Sequence, residues 1–231
     1  MTPPIRERAV NAPWPVLVLV AAILGLFFVQ TRFGADWPER FGLIPGDLWQ
    51  GRVLGLVTHM GVHGSWMHAG SNAIGVLAFG APLARRLGES PAGMALLLAF
   101  FLICGVISGG GYALMQGDSP VILIGASGAA FGLIGAAARL MNPRVGLEPL
   151  RSRRVLGMAA ALIGANLIIG VFGFDPATGV RGIAWEAHIM GLIAGLLLVG
   201  PLLGLLPPRE PPAPKPRSWG GPWGDRGFPG R

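Results

Sequence analysis

Charge is scarce in this sequence: 13% of its 231 residues are Asp, Glu, Lys or Arg, against 52% hydrophobic. So few ionised groups exclude an ordinary soluble domain, whose surface needs about twice that share. Lysine is almost absent, Lys215 being the only one, so the net charge of +7 is carried by arginine. These arginines fall between apolar runs and are not interleaved with aromatics, so a nucleic-acid partner is not expected and topology is their better explanation. Cysteine occurs once, at Cys104 inside an apolar run, which rules out an intrachain disulfide and suits a small core residue. A mean hydropathy of +0.59 and 38 glycines are the profile of closely packed membrane helices.

Six apolar runs predict an all-α polytopic membrane protein with six transmembrane helices. The first, Pro13 to Gln30, is too long for the apolar core of a signal peptide and lacks a small-residue cleavage pattern, so it reads as a retained helix. Residues 31–64 are too polar and interrupted to span, yet hold Trp37 and Trp49, which favour the headgroup zone; an amphipathic, partly embedded loop is expected. The next spans are Ser65–Leu83, ended by Arg85 and Arg86, and Ala92–Ser108, where the cluster Gly109–Gly111 and the turn at Gln116–Pro120 break the pattern. The remaining three are Ala126–Leu140, Val155–Phe174 and Ala184–Leu206. The expected organisation is a short cytoplasmic N-terminus (1–12), a six-helix core (13–206) and a disordered, basic, Pro/Gly-rich cytoplasmic tail (207–231).

Counting Lys and Arg between the spans places fourteen on one side and four on the other. The positive-inside rule then predicts that both termini are cytoplasmic. With no long transit peptide ahead of the first span, a bacterial cytoplasmic membrane is the expected location. In this orientation spans two, four and six all run inward. His68 and Asn72 in span two, Ser127 at the head of span four and His188 near the head of span six therefore share one depth, towards the outer face.

Polar groups are expensive in a bilayer, so a set at one depth asks for a function. His68 and Asn72, four residues apart, project from one helical face. A serine hydroxyl is a weak nucleophile until a base takes its proton, and imidazole is the usual base near neutral pH. Ser127 and His188 can pair if spans four and six touch, which Gly128 and Gly132 on one and Gly191 and Gly195 on the other permit by small-xxx-small spacing. Backbone N–H groups at the head of span four, the Asn72 amide and a His68 N–H can serve as oxyanion donors. Glu186, two residues from His188, lies on another face, so a dyad fits better than a triad. From Ser127 to Arg139 a helix rises only about 18–20 Å, against roughly 30 Å of hydrocarbon, which sets Ser127 about 10 Å below the outer surface and requires a water-filled cavity opening outward. The segments 109–117 and 175–183 are its expected rims.

Gly125-Ala126-Ser127-Gly128 resembles the GxSG motif of the rhomboid intramembrane serine proteases. His63 to Asn72 is similar to that family's second-helix signature, and Ala187-His188-Ile189-Met190-Gly191 through Gly195 to its sixth-helix signature. The resemblance covers residues 13–206 and implies Ser127 as nucleophile, His188 as general base, and His68, Asn72 and the Ser127 N–H as oxyanion binders. It also implies transmembrane protein substrates cut near the outer membrane face, with no metal or other cofactor. Phe131 stands where the family often has tyrosine, keeping a ring to stack on the histidine without its hydroxyl. The family's first-loop Trp-Arg pair is not intact, since Trp49 and Arg52 are separated.

Other features have plainer readings. His59 and His63 are spaced like zinc ligands, but Met60 replaces the glutamate of the metalloprotease pattern, so they are expected to order the first loop. Asn166, midway along span five, is expected to make a helix–helix hydrogen bond. A client-binding relative without protease activity would be expected to lack Ser127 or His188, and both are present. A proton-relaying transporter predicts an intramembrane carboxylate or an internal repeat, and neither is seen.

Overall fold

The computed structural model describes residues 12–142, 146–172 and 184–206, with the side chains of 171 and 172 excepted. The expected cytoplasmic tail and the loop at 175–183 lie outside the described residues, as does nearly all of the short N-terminus. The chain is helical, with α1 at Trp14–Phe33, three short helices α2 (Trp37–Phe41), α3 (Pro45–Trp49) and α4 (Gly55–Thr58), and a 3₁₀ turn at His59–Gly61. Five longer helices follow: α5 (Trp66–Leu87), α6 (Pro91–Gln116), α7 (Ser127–Leu140), α8 (Arg153–Phe172) and α9 (Trp185–Gly204). The protein is thus a polytopic helical bundle. Among the described residues, α1, α6, α8 and α9 are long and apolar enough to cross a membrane, and α7, with 14 residues, is shorter. The 22-residue α5 is diluted by His68, Asn72, Arg85 and Arg86.

Burial follows what a lipid-facing bundle requires. In α1 the buried residues Leu19, Ile23, Phe27 and Gln30 recur every three or four positions, a single stripe against the bundle, while Val18, Leu26 and Phe28 are apolar and exposed. The most enclosed helix is α7, whose Ala129, Ala130, Leu133, Ala136 and Ala137 pack among α5, α6 and α9. Its alanines and glycines let three neighbours close in on one axis. By contrast, Val155 and Asn166 are the only buried residues among the described ones of α8.

The first loop is built and fastened, not loose. Trp49, Val53, Leu54 and Val57 face outward as exposed apolar residues, so the loop is amphipathic. On its inner side Leu43 and Leu123 exchange two backbone hydrogen bonds of 2.9 and 2.8 Å, and Gly125 N–H donates to His59 C=O at 2.9 Å. The loop is therefore tied to the strand-like segment that leads into Ser127. Gln30 completes the attachment: its amide donates to His63 C=O (2.8 Å) and accepts from His63 N–H (3.1 Å). From the sequence, Gln30 is only the end of a span.

One expectation is corrected. The cluster Gly109–Gly111 does not end the third span; α6 continues through it to Gln116. Each glycine weakens a helix by about 1 kcal/mol relative to alanine, but here the missing side chains make room. A Cβ on Gly109 would lie 3.0 Å from both His59 and Leu43, and one on Gly111 would lie 2.5 Å from Met190 of α9. The cluster is a packing notch, so tertiary contact offsets weak propensity.

Candidate active site

Ser127 is the first residue of α7, because the turn before it can be made only there. Gly125 has φ +108°, a conformation that favours glycine, and Ala126 at the N-cap supplies no side-chain oxygen to the first-turn N–H groups of α7. His188 lies in the first turn of α9 and faces it: Ser127 Oγ and His188 Nε2 are 2.8 Å apart.

The closeness of α7 and α9 makes that distance possible. A Cβ on Gly191 would collide with Gly128 C=O, one on Gly195 with Gly132 C=O, and one on Gly135 with Leu192 C=O. The two helices meet backbone to backbone, in the register that brings residue 127 opposite residue 188. Ser108 of α6 locks the top of this contact by donating to Ala187 C=O at 2.7 Å, against Gly128. The Phe131 ring stacks on the His188 imidazole with centroids 4.4 Å apart and planes 6° from parallel, which restrains the ring's tilt.

On the other side of Ser127 lie the two polar residues of α5. Ser65 caps that helix by accepting from His68 N–H at 3.1 Å, which starts the helix so that His68 and Asn72 share a face. A Cβ on Gly125 would fall 2.5 Å from His68 Nε2 and 3.4 Å from Asn72 Nδ2, so glycine is required by space as well as by φ. Asn72 is 5% exposed, and its Nδ2 is buried without a hydrogen-bond partner among the described residues. A buried amide donor left unsatisfied costs about 1–3 kcal/mol, and this one lies beside the turn that precedes Ser127, where it is free to donate to a bound group.

His59 and His63 support this wall, each through one ring nitrogen, while His63 Nδ1 is buried without a hydrogen-bond partner among the described residues. His59 Nδ1 is 2.8 Å from Gly55 C=O, and His63 Nε2 accepts from Ala126 N–H at 3.4 Å. Burial pushes the His59 imidazole down to about 4 and the His63 imidazole down to about 3, His68 adding to the latter. Both are neutral near pH 7 and hold the residues just before Ser127 in place. Glu186 does not approach His188 through its carboxylate, which accepts from Gln116 Nε2 at 2.7 Å. Arg52 pairs with Asp47 at 3.0 Å, and Trp49 Nε1 donates to Gly117 C=O at 3.1 Å, so these two serve separate parts of the loop.

The structure brings together Ser127, His188, His68, Asn72, Gly125, Gly128, Phe131, Gly191 and Gly195, all singled out from the sequence. It adds Asn166, whose partner is not a generic neighbouring helix but the imidazole itself: Asn166 Oδ1 lies 2.8 Å from His188 Nδ1. A lone amide in an apolar span was a signal that some partner existed. Which partner depended on the packing of α8 against α9.

The family model for the Rhomboid domain matches residues 46–204. No curated protein matches the chain.

Proposed function

The chain belongs to the rhomboid family of intramembrane serine proteases, an integral membrane endopeptidase acting on transmembrane substrates in the bilayer, and from that premise we propose that Ser127 and His188 are its catalytic pair. His188 Nε2 takes the Ser127 proton as Oγ attacks the carbonyl carbon of the scissile bond. The resulting oxyanion is held by the Ser127 N–H, the Asn72 amide and a His68 N–H. Collapse breaks the C–N bond, His188 returning the proton to the leaving amine, and leaves an acyl-enzyme. Water deprotonated by the same imidazole hydrolyses that ester and regenerates Ser127.

The 2.8 Å approach of Ser127 Oγ to His188 Nε2 carries this reading. The Asn72 Nδ2 beside Gly125 supports the oxyanion site independently, since it has no hydrogen-bond partner among the described residues. The arginine asymmetry supports an orientation with both termini cytoplasmic and the site near the outer face. The six-helix core, residues 13–206, is the proposed catalytic unit, flanked by the short arm 1–12 and the tail 207–231.

The test is cleavage of a model transmembrane substrate by the purified chain beside Ser127→Ala and His188→Ala. Each substitution should lower kcat by about 10⁴-fold or more while the protein stays folded. A fluorophosphonate should label the parent at Ser127 and not Ser127→Ala. Undiminished cleavage by Ser127→Ala would sink the proposal.

A further inference from the structure

Asn166 occupies an unusual place on α8. Ala165, Leu167, Ile168 and Ile169 around it are exposed on the lipid-facing side, yet Asn166 itself is 6% exposed and turned into the bundle. Burying a primary amide requires partners for both ends. Its Nδ2 donates to Leu162 C=O, one turn back on its own helix, at 3.0 Å. Because a carbonyl only accepts, this contact fixes which end of the amide is nitrogen, and so fixes that Oδ1 faces the imidazole. An amide oxygen only accepts too, so His188 Nδ1 must carry a proton. In the neutral ring Nε2 is then the lone-pair nitrogen, and it is Nε2 that stands 2.8 Å from Ser127 Oγ.

We propose that Asn166 is a positioning residue for peptide hydrolysis, its amide oxygen holding His188 in the tautomer and ring orientation that present Nε2 to Ser127. This rests on the assignment of Ser127 and His188 above and extends the pair to a Ser–His–Asn array running across α7, α9 and α8. The uncharged amide fixes the ring without placing a carboxylate in the apolar interior, where an ionised group is costly. Phe131 restrains the tilt of the ring through its face, and Asn166 restrains rotation in its plane through Nδ1. The two restraints come from different helices and act on different degrees of freedom.

The full-length protein with Asn166→Ala and Asn166→Ser tests this. Alanine removes the acceptor. Serine also loses the reach to His188, but its hydroxyl can bond back to Leu162 C=O, so α8 keeps a satisfied interior if alanine proves unstable. Both variants should lower kcat roughly 10- to 100-fold at nearly unchanged KM, and slow fluorophosphonate labelling of Ser127 in parallel. The ¹⁵N shifts of the His188 ring should report Nδ1–H in the parent and a tautomer mixture in the variants. Parent-like kcat and ring shifts in both variants would overturn the proposal, as would a loss confined to KM. Ser127→Ala serves as the internal control. If it cleaves normally, the catalytic assignment itself is wrong; if it is silent while both Asn166 variants work normally, only the role of Asn166 fails.

Discussion

α9 has two neighbours that carry parts of the site, and it meets them in opposite ways. Against α7 it comes backbone to backbone, with Gly191 on Gly128 and Gly195 on Gly132, leaving no space for a methyl group. Against α8 it meets side chains, Leu192 and Leu196 sharing one apolar cluster with Val155 and the half-buried Met158 and Leu162. The first contact has no soft parts, so it fixes the distance between Ser127 and His188. The second has long, adjustable side chains together with the polar link from Asn166 to His188. A proton transfer needs heavy atoms within about 2.6–3.2 Å, a tolerance smaller than the play in a leucine contact but not than that in a glycine seam. Rigid placement of the pair falls to α7 and α9, and adjustment of the ring to α8.

The comparison breaks most decisively at the seam. Gly191→Val would drive a branched side chain into Gly128 C=O, and either the helices part or α9 unwinds. Activity should fall by more than about 10³-fold, with a loss of stability of 3 kcal/mol or more, read by cleavage assays and thermal unfolding in detergent. Retention of parent activity would show that the seam does not set the distance.

Acid probes the wall that the first loop builds before Ser127. His59 binds its proton only near pH 4 in the fold, against about 6.5 when unfolded. Between those values the unfolded chain binds more protons, so stability rises with pH: the contribution is present in full above pH 6.5 and is lost as pH falls through about 4. His63, at about 3, extends the same trend. Stability should drop by about 3 kcal/mol from His59 alone over that window, at roughly 1.4 kcal/mol per unit, and His59→Phe should flatten the profile. An acid profile unchanged by that substitution would remove His59 as the cause.

The smallest effect is expected on the outer side of α8. Ile168 is 63% exposed, so Ile168→Ala should alter stability by less than about 0.5 kcal/mol and kcat by less than twofold, two residues from a position where large effects are expected. A tenfold change there would mean that α8 is held by more than its inner face.

Much of this protein was readable in order along the chain. Low charge and long apolar runs require membrane helices, and four-residue spacing put His68 and Asn72 on one face of α5. The small-xxx-small pairs named both sides of the α7–α9 seam. These features are local, periodic properties, and a helix converts sequence spacing directly into geometry. The reading failed where local and tertiary preferences conflict. Gly109–Gly111 look like a helix end because glycine has poor propensity, but His59, Leu43 and Met190 fill the space above them. Asn166 signals only that it needs a partner, and Gln30 gives no signal at all, because their partners, His188 and the His63 backbone, lie on distant segments at separations that no spacing rule supplies.

The sequence by itself determined that the chain enters the bilayer, that His68 and Asn72 share one helical face, and that glycine lines the faces meant to meet. Composition and helical periodicity suffice for those, since each is decided by a residue and its neighbours within two turns. Only the tertiary structure decided that Ser127 and His188 stand at 2.8 Å, that Gly125 leaves room for His68 and Asn72, and that Asn166 reaches the far side of the imidazole. Those are relations between helices separated by up to 61 residues. Their angles and registers follow from close packing of the whole bundle, where each contact is fixed by all the others.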